Sequence, residues 1–212
     1  MTNWLTRLLG ETQVRMLMLL RRSRQTITGI AEHVELTDNA VRTHVAALDR
    51  DGMIEQVGTR REARGKPARV YSLTREAEEL FPKAYALILS GLVEEISRTE
   101  GREQAIKLLR AVGERVAEGV EPSRDPKARI RAAAAVLRSL GADIEVQRTD
   151  QGWRLQGYGC PLSAVTPKHP EVCSVATALV EEITGQRVTE CCDRSDRPRC
   201  AFEISGAPSE AA

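Results

Sequence analysis

Two short amphipathic patterns, separated by three residues, constrain this chain more than any other feature. Ile27, Ile30, Ala31 and Val34 recur at helical spacing, Glu35-Leu36-Thr37 interrupts them, and Val41, Val45 and Leu48 resume on one face. The pattern predicts two helices joined by a tight turn. Thr37 or Asp38 can accept the free amide hydrogens at the start of the second helix, and Gly52 follows its end. With the apolar stripe turned inward, Asn39, Arg42, Thr43 and His44 face out, while the small Ala40 and Ala46 leave room for another surface to approach. A helix of this kind suits a DNA major groove. His44, between Val41 and Leu48, fits a half-buried packing position equally well.

Residues 53–57 read as a strand, 59–69 as a hairpin tip and 70–73 as the returning strand. Arg60, Arg61, Arg64, Lys66 and Arg69 crowd the tip against one acid, Glu62, with Gly65 and Pro67 setting the turn. A basic loop is also what many solvated surfaces carry. Placed just after a two-helix pattern, these cations suit phosphates or a minor groove, with binding that weakens as salt rises. The succession of helix-turn-helix, Gly-Met-Ile and Arg-Gly-Lys-Pro-Ala-Arg-Val-Tyr-Ser-Leu-Thr resembles the winged-helix domain of bacterial transcriptional regulators. The resemblance implies binding to double-stranded DNA.

Upstream, Trp4, Leu5, Leu8 and Leu9, then Val14, Leu17, Met18 and Leu20, predict one or two helices under this head, separated at Gly10. Arg21, Arg22 and Arg24 can favour a helix's carbonyl end or reach a phosphate. Downstream, Thr74 and the acids behind it open a long helical pattern with Leu80, Ala84, Leu87, Ile88, Leu92 and Ile96 on one face and a kink at Pro82. A second helix is expected over residues 103–117. The Leu-Phe-Pro-Lys-Ala-Tyr passage resembles the helix that follows the wing in the same regulators, which implies a homodimer reading a palindromic operator. Periodicity by itself fits an internal core as well as a dimer seam.

A chain of 212 residues suits two small domains better than one. Its formal net charge of +1 hides the local basic excess and would not by itself suggest nucleic acid. Aromatic residues are scarce, which disfavours stacking on single-stranded bases. The longest apolar run, residues 84–93, is too short for a membrane span, and the start of the chain lacks a signal peptide's apolar core, so a cytoplasmic protein is expected. Residues 120–126, with two prolines, read as a linker. Beyond it the pattern is helix, hairpin, helix, hairpin: helix 127–140, strands 143–148 and 153–158, helix 174–183, then strands 187–192 and 199–204. The expected fold class is α+β: a winged helix-turn-helix over 1–75, a helical dimerisation segment over 76–120, and a C-terminal α+β domain over 126–205 with two β-hairpins and a cysteine cluster.

All five cysteines, Cys160, Cys173, Cys191, Cys192 and Cys200, lie in the last quarter of the chain. Random placement would do this roughly once in a thousand sequences, which points to a shared site. Stable disulfides are disfavoured in a cytosolic protein, leaving metal ligation, redox chemistry or simple burial. On a strand, Cys191 and Cys192 point to opposite faces, so one joins a thiolate cluster and the other does not. Cys192 is preferred because it and Cys200 enclose a seven-residue hairpin whose ends meet. The expected metal ligands are Cys160, Cys173, Cys192 and Cys200, with Cys191 as the alternative. No two cysteines form the short knuckle common in structural zinc sites, whereas iron–sulfur clusters accept dispersed thiolates. His169 and Glu190 can each complete a site short of a cysteine, although a loop contact is their ordinary role.

Cys160-Pro-Leu, the twelve residues before the cysteine of His-Pro-Glu-Val-Cys173, and the Cys-x-Phe strand at Cys200 resemble the sensory half of SufR-type iron–sulfur repressors within the ArsR-like winged-helix regulators. The resemblance implies a 4Fe–4S or 2Fe–2S cluster whose oxidation or loss changes DNA affinity. The later cysteines depart from that family's even spacing. The Cys-x7-Cys hairpin is also similar to small-molecule-sensing domains of the vinyl-reductase type, which implies Zn2+. A thiol-dependent redox enzyme is a third possibility, with Cys191 as nucleophile, but it has no Cys-x-x-Cys pair or evident base.

Overall fold

Thr26, Thr37 and Thr74 each start a helix by the same chemistry: the hydroxyl accepts the N–H three residues on, from Gly29, Ala40 and Ala77 respectively. In the computed structural model, which describes residues 3–61, 66–195 and 197–205, the chain divides into two units, Met1–Lys83 and Ala84–Ala212.

The first unit contains α1 (Asn3–Leu9), α2 (Glu11–Arg22), β1 (Gln25–Thr26), α3 (Ile27–Val34), α4 (Asp38–Arg50), β2 (Ile54–Arg60), β3 (Ala68–Leu73) and the short α5 (Arg75–Glu78). Glu35 ends α3 in the left-handed region (φ 61°), which lets the Leu36 N–H return to the Ala31 carbonyl at 3.1 Å. The turn is held from outside by the Thr28 hydroxyl, which donates to Asp38 Oδ2 at 3.3 Å. Met16, Leu17, Ile30, Val41, Leu48 and Ile54 are almost fully enclosed in one core, each such side chain contributing about 1.5–3 kcal/mol. This is an N-terminal winged helix-turn-helix.

The wing strands are longer than the sequence pattern predicts, because the cross-strand pairs Thr59 with Arg69 and Arg60 with Ala68 continue the ladder past Val57. Arg60 and Arg69 therefore stand on strands rather than in the tip. A bulge between Gln56 and Gly58 bends β2 within this ladder. The sheet has the order β1-β3-β2, and β1 was not expected. The long helix expected from Thr74 is interrupted after α5. Pro82 lacks a backbone donor and disfavours helical geometry at Phe81, so helix resumes only at Tyr85.

The second unit begins with α6 (Tyr85–Glu100) and α7 (Arg102–Ala117). Asp125 then caps α8 (Pro126–Ser139), accepting from the N–H groups of Lys127 and Ala128, and Pro126 fills the first helical position. There follow β4 (Ile144–Thr149), β5 (Gly152–Gly157), α9 (Cys173–Thr184), β6 (Val188–Glu190) and β7 (Ala201–Ser205). The two expected hairpins join through β5 and β7 into one antiparallel sheet of order β4-β5-β7-β6. Leu155, Phe202 and Ile204 from the sheet share a core with Ile130 and Leu137 of α8 and Leu179 of α9. Packing of α7 along α9 is close enough that a Cβ on Gly113 would lie 2.1 Å from the Val175 carbonyl oxygen.

Candidate nucleic-acid interface and metal centre

The core that fixes α4 also decides what it presents. Val41, Val45 and Leu48 are buried, and Asn39, Arg42 and Thr43 are exposed on the opposite face, while His44 is half-buried. The Thr43 hydroxyl donates to the Asn39 carbonyl at 3.4 Å, one turn back along the helix. Arg60, Arg61, Lys66 and Arg69 are exposed on the wing. None of these cations, nor Arg42, has an ion-pair partner among the described residues. Arg64 lies outside the described residues. Arg21, by contrast, is engaged: its guanidinium grips both carboxylate oxygens of Glu78 and lies 4.5 Å from the Phe81 ring centre. It packs the end of the head and is not held out towards phosphate.

The cysteines come from three separate places in the second unit. Cys160 follows β5, Cys173 opens α9, and Cys192 and Cys200 flank the connection between β6 and β7. All four side chains lie on the wall of one cavity of about 310 Å³, with Ile144, Leu179 and Phe202 among its apolar lining. Cys173 and Cys200 are buried, Cys160 and Cys192 half-buried. Cys191 is exposed, and its thiol approaches the Thr189 carbonyl at 3.7 Å.

Local pairing explains how the vicinal cysteines separate. The expected strand over 187–192 stops at Glu190, although the Cys191 N–H still reaches the Ala201 carbonyl at 2.8 Å and Asp193 bridges to Arg199. The Ala201 N–H turns instead to Cys192 Sγ at 3.4 Å, so sulfur replaces a carbonyl as acceptor and the ladder breaks there. Cys200 is fixed from the other side. The Gly157 N–H donates to its carbonyl at 2.6 Å, and a Cβ at Gly157 would meet that oxygen at 2.9 Å.

The site is electron-rich, and Arg194, paired with Glu190, places a cation beside it. Contact with Cys192, then burial and the nearby Glu190 charge, push the Cys173 thiol far above its usual range. Contact with Cys173 pulls Cys192 down, but its contact with Cys200 and its burial outweigh this, leaving it pushed up to about 12. Cys173 and Cys192 therefore keep their protons at neutral pH until a cation replaces them. A donor set of four thiols on an apolar, partly enclosed wall fits an iron–sulfur cluster or a thiophilic ion. Glu190 lies beside it: ligand atoms of Cys173, Glu190 and Cys192 are within 4.8 Å of one another. The sequence admits Glu190 as a substitute ligand in a site short of a cysteine, with a loop contact as its ordinary role. Its position two residues before Cys192 on a hairpin, where alternate residues share a face, was the available signal.

A profile of the family described as "Bacterial regulatory protein, arsR family" matches residues 10–56, from the start of α2 into β2. Among solved structures, the chain is similar to a doubly substituted variant of ZitR from Lactococcus lactis in its apo form, at 25% identity over 51% of this chain and 83% of that one, with a TM-score of 0.30. It is also similar to reduced HlyU from Vibrio cholerae, at 23% identity over 42% of this chain and 77% of that one, with a TM-score of 0.27. No curated protein matches it. The arsR-family match falls within the winged helix-turn-helix head, and the cysteine-bearing unit lies outside it. Among the described residues, no helix is long and apolar enough to cross a membrane.

Proposed function

We propose that the chain is a homodimeric transcriptional regulator, a repressor, whose affinity for a palindromic operator is switched by an iron–sulfur cluster on Cys160, Cys173, Cys192 and Cys200. The observation that carries this reading is the single apolar cavity wall shared by those four thiols, in a chain whose head is an ArsR-type winged helix-turn-helix. Asn39, Arg42 and Thr43 read base edges from α4, and the wing cations hold the backbone. When bound, the cluster supplies an oxidation- and iron-sensitive cross-link. The chain's own part is to hold four sulfur donors from the end of β5, the start of α9 and the β6–β7 connection, and to screen them from water with Leu179 and Phe202. Such a link shifts an equilibrium only if it favours one arrangement of the second unit over another. The helix α9 that begins at Cys173 packs on α7, so a change at that cysteine bears directly on the α6–α7 pair. That pair carries the exposed Tyr85, Leu87, Ile88 and Leu92, an apolar strip suited to a second copy.

The test is anaerobic purification of the full chain, with a visible spectrum and iron, sulfide and zinc analysis of one sample. Brown protein with matching iron and sulfide is the expected result. Colourless protein holding zinc would overturn the cluster and favour a second reading, a zinc-stabilised regulator that senses a small apolar molecule. The cavity volume favours that alternative, being at the lower end of ordinary ligand pockets, about 300–1,000 Å³. A thiol enzyme gains little support, since the neighbour of the exposed Cys191 thiol is a carbonyl and not a base.

A further inference from the structure

Cys173, Glu190 and Cys192 converge in a way the four-thiol wall does not require. They come from the first turn of α9, the last residue of β6 and the chain just beyond it, and one ligand atom from each lies within 4.8 Å of the others. Pairing of Glu190 with Phe202 in the sheet fixes the carboxylate's base. Arg194 forms an ion pair with Glu190, so a cationic group already stands at this corner. A surface ion pair accounts for Arg194 and Glu190 by themselves. It does not account for the carboxylate lying close to one buried and one half-buried thiol.

We propose that this corner is a mononuclear site for a borderline divalent ion of the Zn2+, Co2+ or Fe2+ class, held by Cys173 Sγ, Cys192 Sγ and a Glu190 carboxylate oxygen. Two soft donors and one hard one suit such ions better than Mg2+ or Ca2+, which prefer oxygen alone. The ion displaces one proton from each thiol: M2+, two thiols and a carboxylate give a bis-thiolate carboxylate complex of charge −1 and two protons. The Arg194 guanidinium offsets that charge. A water completes a tetrahedral set.

The site rests on the reading that these thiols are metal ligands, and shares two of them with the proposed cluster, so ion and cluster exclude each other. Glu190 distinguishes them, because it serves the ion and is not needed by a cluster with four cysteines. A chain that has lost its cluster can thereby be captured by an abundant divalent ion instead of refilling.

The test is an anaerobic Co2+ titration of the reduced, cluster-free full chain, with chelator competition for affinity and the thiolate-to-cobalt absorption band to report sulfur ligation. Wild type is expected to bind one Co2+ with thiolate ligation. Glu190→Gln should weaken binding about tenfold or more while iron and sulfide uptake on reconstitution stays unchanged. Glu203→Gln, at an exposed carboxylate paired with Arg154, should leave both unchanged. Unaltered Co2+ affinity in Glu190→Gln, no Co2+ binding by wild type, or joint loss of Co2+ and cluster uptake in Glu190→Gln would each overturn the proposal. Glu190-dependent Co2+ binding in a chain that never takes up iron and sulfide would leave this site standing and remove the cluster.

Discussion

Arg42 is held on the exposed face of α4 because Val41 and Val45 on either side of it are buried. If it reads a base edge, Arg42→Ala should weaken operator binding by about 1–3 kcal/mol and affect random duplex much less. Fluorescence anisotropy on both duplexes checks this, and equal losses would make Arg42 a phosphate contact. Gly157 bears on the thiols in a similar way. A methyl group there meets the Cys200 carbonyl at 2.9 Å and its Cβ at 3.1 Å, so Gly157→Ala should displace Cys200 and lower iron and sulfide content per chain, with far-UV circular dichroism little changed. The exposure of Asn39, Arg42 and Thr43 was legible because the helix period alone turns them outward. Cysteine spacing could gather the thiols into one region and prefer Cys192. It could not foretell that a backbone amide turns to the Cys192 sulfur, which depends on cross-strand register; for Glu190 the i, i+2 spacing to Cys192 was the only local sign.

At the scale of elements, helices with a clear apolar period were legible, the eight-residue α3 included, and very short or interrupted elements were not. Two-residue β1 has no period to detect, and Pro82 ends a helix where the apolar spacing runs on. The apolar positions of α6 also divide. Val93 is buried with Ala86 and Leu89 against it, while Leu87, Ile88 and Leu92 face out, a division that a list of apolar positions does not contain. If the outward strip is the dimer seam, Leu87→Asp combined with Leu92→Asp should give a monomer in sedimentation equilibrium with helix content retained. A dimer of unchanged affinity would place the seam elsewhere. Gly113 sets the α7–α9 contact. A Cβ there meets backbone, not a yielding side chain, so Gly113→Ala should cost about 1–3 kcal/mol in chemical denaturation; a loss below measurement would mean that the two helices part without strain.

Across the whole molecule, the α+β class and the winged head followed from patterns of apolar residues and turns, because each local preference there agrees with the packing it meets. How the two hairpins combine did not follow, since joining β5 to β7 is a long-range pairing that leaves no local mark. The same distance separates the thiols in sequence and makes their shared cavity the central structural observation. The decisive question is therefore whether a metal centre on these thiols changes DNA affinity. The most direct measurement compares operator binding by the anaerobic, cluster-loaded full chain with binding by the same sample after the cluster is stripped, at one salt concentration and on an operator selected from genomic fragments. The two affinities are expected to differ by about tenfold or more, a coupling of ~1.4 kcal/mol. Equal affinity of the loaded and stripped forms would contradict this and leave the metal centre a structural support.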